Sequence, residues 1–120
     1  MAVQPLDIMP VYAKIEDVST AGQVYVVAPT DGEIVKVYSA LNAAIAMANA
    51  AITTKIAGTA ITGGGITITQ SGSAAGDVDS AEPTAANYVK EGQVIEIETD
   101  GASTNTVSVD FTILISRARS

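Results

Sequence analysis

Two glutamates one residue apart, Glu96 and Glu98, are the first feature of this 120-residue chain that could do chemistry. They sit in an alternating stretch, Gln93 to Thr99, so both carboxylates point to one face, and a carboxylate pair is the minimum set for glycoside hydrolysis. Ile95 and Ile97 take the other face, which leaves the pair on solvent or on an interface. One Phe and four Tyr hardly supply the aromatic platforms a sugar cleft uses. Asp77, Asp79 and Glu82 form a second group, in the loop GDVDSAEP, and alternating oxygen ligands in a Gly-containing loop suit Ca²⁺. The third acidic ligand and the central Gly of an EF-hand loop are missing, so a solvated acidic turn is the better reading. Gly63-Gly64-Gly65 lacks the Lys-Ser/Thr and the helix of a phosphate loop and reads as a β-turn. Tyr12, Tyr25, Tyr38 and Tyr88 could build a sugar platform. Spread over separate strands, they read better as core-edge or interface residues.

The rest of the catalytic inventory is thin. The chain has no His and no Cys, hence no imidazole base, no thiolate nucleophile, no disulfide and no His or Cys metal ligand. Lys14, Lys36, Lys55 and Lys90 lack an S-x-x-K spacing and read as structural or surface residues. No enzymatic site and no cofactor are expected. A net charge of −7 disfavours nucleic acid and anionic membranes, because phosphate binding needs clustered Lys and Arg. The basic residues are scattered apart from Arg117 and Arg119. Met1 to Pro10 lacks the basic and apolar regions of a signal peptide, and no apolar run is long enough for a membrane helix. Folding in the cytoplasm of whatever cell makes the chain follows as the expectation.

The elements that must hold these residues are strands. From Thr106 to Arg117, Val107, Val109, Phe111, Ile113 and Ile115 alternate with Ser108, Asp110, Thr112, Leu114 and Ser116, which predicts a strand with one buried face. Gln93 to Thr99 and Gly65 to Ser71 repeat the pattern. Val11 to Asp17, Gln23 to Ala28, Glu33 to Leu41 and Ala51 to Ile56 are further candidates, with Gly-centred breaks between them. This predicts one all-β domain, a β-sandwich or jelly-roll-like fold over residues 11–120, behind an extended N-terminal arm, residues 1–10. Ser39 to Ala51 is Ala-rich and could be helical. Its β-patterned lead-in and the following Ile52-Thr53-Thr54 favour a strand, a turn near Met47 to Asn49, then a strand. The polar stretch from Ser71 to Gly92 is long for a plain connection. It reads as a functional loop or one with its own short element, with a helical turn over Pro83 to Asn87 and Tyr88 and Val89 packing back on the sheet.

The core must be built from Val, Ile, Leu and Ala, since aromatics make up 4% of the chain. Charged residues, at 16%, are too few to cover the exterior, which falls to Ser, Thr, Gly, Asn and Ala. Short side chains lose little rotamer entropy on contact, so such a surface suits protein–protein packing.

The succession DGEIVKVYSALNAAI, then TTKIAGTAITGGGITITQSGSAAGDVDSAEPTAANYVKEGQVIEIETDG, then STNTVSVDFTILI, from Asp31 to Ile115, resembles small structural proteins from the head-gene regions of tailed bacteriophages. The resemblance implies a capsid decoration, or cement, protein on the outer surface of the virion head. Such proteins are β-rich, often homotrimeric, and clamp neighbouring major capsid protein subunits. Its motifs are packing and turn residues, so no site is carried over from it. The arm residues Ala2, Val3, Gln4, Pro5, Leu6, Asp7, Ile8, Met9 and Pro10 are the expected capsid contact, through an added or swapped strand. The loop Ser71 to Val89, with Asp77, Asp79 and Tyr88, is the next candidate contact. The rival reading is a carbohydrate-binding host-attachment module of a phage tail fibre or spike, which would gather Tyr88, Asp77 and Asp79 into a cup.

Overall fold

The computed structural model describes residues 7–117. Ten strands run in chain order: β1 (Asp7–Ile15), β2 (Gly22–Val27), β3 (Gly32–Leu41), β4 (Ala50–Ile56), β5 (Thr59–Ala60), β6 (Ile66–Ile68), β7 (Val78–Ala81), β8 (Tyr88–Val89), β9 (Val94–Thr99) and β10 (Val109–Arg117). They make two antiparallel sheets. Sheet A has the order β1-β10-β3-β7, with β8 also on β3; sheet B has β2-β9-β4-β5, with β6 also on β4.

The pairing is nested. The first strand pairs with the last, β2 with β9, β3 with β7 and β8, and β4 with β5 and β6. The chain is thus one long antiparallel ribbon whose tip lies at β4–β6. Folding that ribbon over brings β10 against β3 and β9 against β4, which completes a jelly-roll β-sandwich.

The alternation read from sequence sets what each strand buries. Val109, Phe111, Ile113 and Ile115 of β10 point inward, facing Ile95 and Ile97 of β9 and Ile52 and Ile56 of β4 in one continuous core. Phe111 is the only aromatic side chain fully buried in that core. The layer is otherwise Val, Ile and Leu, whose branched side chains pack well on a pleated surface.

The Ala-rich segment is not a helix. β3 ends at Leu41, Met47 takes a positive φ of 71°, and β4 starts at Ala50, so strand, turn and strand is the outcome. Tertiary bonds override helix propensity here. The Ala46 carbonyl accepts from the Thr104 amide and the Ala44 carbonyl from Asn105 Nδ2, while Ile45 is buried.

Several boundaries differ from expectation. β1 begins at Asp7 rather than Val11, because Asp7, Ile8, Met9 and Pro10 continue the unshifted ladder with β10 up to Arg117. That part of the arm is sheet; residues 2–6 lie outside the described residues. The strand expected over Gly65 to Ser71 shortens to Ile66–Ile68, and the last strand starts at Val109 rather than Thr106. The long polar stretch carries β7 and β8, both on β3. The helical turn expected over Pro83 to Asn87 is absent. Thr84 donates to the Thr62 carbonyl, Asn87 Nδ2 donates to the Ile34 carbonyl, and Ala86 has a left-handed φ of 54°. These bonds hold the segment to its neighbours instead of to itself. Val89 packs into the core as expected, but Tyr88 is half exposed.

Candidate binding surface

The residues singled out for chemistry are dispersed, and Glu98, Asp77 and Glu82 already have partners within the fold. Glu98 pairs with Lys55 at 3.0 Å, and Glu98 is also the main cause that raises the Lys55 ammonium above its ordinary pKa. Asp100, beside Glu98 on the rim of a shallow depression with Gln23 and Thr53, accepts from the amides of Ala51 and Ala102. Both carboxylates line that depression, whereas Glu96, set between Tyr25 and Lys55 in the ladder, does not.

The acidic loop does not converge either. Asp77 caps its own turn by accepting from the Ala74 amide, and Glu82 pairs with Lys36 at 3.4 Å. Among the described residues no group of three or more Asp or Glu side chains could hold a metal ion. The cup of Tyr88, Asp77 and Asp79 is not assembled. Tyr88 stands opposite Glu33 at one end of β3 and Asp79 opposite Ser39 toward the other. Six residues of strand separate those positions, about 20 Å. Glu33 is exposed on the outer face of sheet A while Ser39 is buried on the inner one, so the two candidates also belong to opposite faces.

The structure instead gathers apolar side chains on flat surfaces. On the outer face of sheet A, the register sets Tyr12 beside Thr112 and Thr112 beside Tyr38, with Pro10, Leu114 and Lys36 in the next row. Val78 faces Ala40 on the same side, and Ile8 lies at the far end of β1. Ile8, Tyr12, Val78 and Tyr88 are each about half or more exposed. The charges on this face are largely matched internally. Lys36 meets Glu82 and lies 5.3 Å from the centre of the Tyr38 ring, and Lys14 stands opposite Asp110. Arg117 and Asp7 pair at 3.7 Å at its edge. The four tyrosines thus divide: Tyr12, Tyr38 and Tyr88 on sheet A, and Tyr25 on sheet B.

Sheet B adds a cluster that the reading for chemistry missed. Tyr25 and Val27 of β2 are each 59% exposed, and Val27 faces the exposed Val94 across the ladder. The signal was present in the uncharged run GQVYVV, which alternates between partly buried and exposed residues and exposes Tyr25 and Val27. No protein-family model and no curated protein matches the chain.

Proposed function

We propose that the chain is a structural capsid decoration protein that lies on the outer surface of a tailed-phage head and holds neighbouring major capsid subunits together. The observation that carries this reading is the outer face of sheet A, a sheet surface with Ile8, Pro10, Tyr12, Leu114, Tyr38 and Val78 exposed or half-exposed along it. Exposed apolar patches rimmed by polar residues mark protein-binding surfaces, and a flat one suits a large partner better than a small molecule. β1, which includes the arm residues Asp7 to Pro10, lies along this face. The resemblance of residues 31–115 to phage head proteins supplies the identity of the partner. The jelly roll alone does not, because the same architecture serves capsid and lectin domains. The tail-fibre reading loses its cup, since Tyr88 and the two aspartates lie far apart.

The test is sedimentation of the purified chain with undecorated capsids of its own phage. Saturable co-sedimentation is expected, weakened at least about tenfold by Tyr12→Lys, which places a charge in the centre of the face. A chain that stays in the supernatant at micromolar concentration would falsify the proposal.

A further inference from the structure

The two sheets present four edges, and three of them are closed to further pairing. β7 with β8, and β5 with β6, are short interrupted pieces. β1 is long, but it carries Pro10 and Lys14, two devices that blunt an edge. β2 has neither. It runs six residues without a charge, a proline or a register shift, and the sequence has no charged residue from Val18 through Thr30.

The direction of its backbone groups follows from its neighbour. The amide of Ala28 donates to the Gln93 carbonyl, so Ala28 faces β9, as do Val26, Val24 and Gly22 by alternation. Gln23, Tyr25 and Val27 therefore turn their N–H and C=O groups to the free edge. Val24 and Val26 point inward, yet they are only partly buried against the core.

We propose that this edge pairs with the same edge of a second copy, antiparallel across a twofold axis at Tyr25. The spacing is self-complementary. Tyr25 meets Tyr25 of the other copy, and Gln23 meets Val27 in both directions, closing about six N–H···O=C bonds. Val24 comes opposite Val26 on the inner face, and the half-buried pair is covered. Charge permits this despite the net −7 of each copy. Glu98 lies beside Gln23, so across the seam it faces Val27 and Val94 of the other copy. Glu96, beside Tyr25, is three strand spacings from its counterpart, about 14 Å, beyond the ~8 Å Debye length at physiological ionic strength. Tyr25 and Val27, exposed in the single chain, supply the apolar contact along the seam.

Analytical ultracentrifugation of the full chain over a wide concentration range tests the pairing. The expected result is reversible dimerisation, strengthened by added salt because both copies are anionic, and weakened at least about tenfold by Tyr25→Lys. Hydrogen exchange on the unmodified chain gives a reading that does not depend on the variant's folding. In concentrated samples the amides of Gln23, Tyr25 and Val27 gain protection they lack when dilute, while those of Val24 and Val26 are protected in both. A monomer at every concentration overturns the proposal. So does a trimer, or a dimer whose edge amides stay unprotected.

Discussion

β1 and β2 are consecutive strands on the same flank, each ending its sheet, yet they differ in the proline and the charge they set on the free edge. The free side of β1 is made by Ile8, Pro10, Tyr12 and Lys14, for Asn42 donates to Ser108 and so fixes which β10 positions face β3 and which face β1. Pro10 has no amide to offer there, and Lys14 brings a charge. The free side of β2 is Gln23, Tyr25 and Val27, all with amides and none charged. Both strands expose a tyrosine, at 68% for Tyr12 and 59% for Tyr25. Apolar exposure therefore does not distinguish them. The lesson is that β1 offers a face and blunts its edge, while β2 leaves its edge open, which is why the two proposals above assign them different docking geometries.

The most damaging way to break the comparison is to remove what β1 rests on. Phe111→Ala empties the largest buried side chain of β10 and should cost about 3–5 kcal/mol in urea unfolding. In hydrogen exchange β1 and β10 should lose protection more than β2 and β9. Equal loss on both edges would mean that the two sheets respond as one unit. A gentler variant makes β1 resemble β2. Pro10→Ala restores the missing amide and should change stability by less than about 1 kcal/mol. It should add self-association that persists when Tyr25→Lys is also present; its failure to do so would shift the block on β1 to Lys14. The smallest effect belongs to the turn between the strands. Asp17 accepts from the Ser19 and Thr20 hydroxyls and the Ser19 amide, and the Ser19 hydroxyl is the main cause that holds its carboxyl below the ordinary carboxylate range. A depressed carboxyl stabilises the fold above its unfolded pKa and loses that contribution as pH falls through the depressed value. In Ser19→Ala an NMR titration should show Asp17 moving up toward its ordinary value. The variant's stability deficit should vanish in acid, below the depressed value.

Much of this architecture was legible as alternation. Val109 to Ile115 and Ile95 with Ile97 declare their buried faces by period two, and the structure buries each of them. The turn at Met47 was legible from the residues around it more than from its own alanines. What escaped has a common cause. β7, β8 and the stretch from Pro83 to Asn87 are held by partners far along the chain, β3 and Thr62, and no local pattern encodes a distant partner. The same holds for Asp7 to Pro10, which became strand because β10 extends far enough to pair with them. The candidate surface was half visible. The tyrosines were read as core-edge or interface residues, but which of them share a face depends on strand order.

The nested ribbon also governs how the chain comes into being. During synthesis β1 and β2 precede the other described strands, while their partners β10 and β9 follow all the rest. The local hairpin of β4 with β5 and β6 can close early; everything outside it must wait. Sheets whose partners are so distant in sequence fold in milliseconds to seconds rather than microseconds. Through that interval β2, apolar and uncharged, is open on both of its edges. Newly made chains should therefore be at greatest risk of coalescing just before β9 arrives, and slower elongation over residues 60–95 would lengthen that exposure.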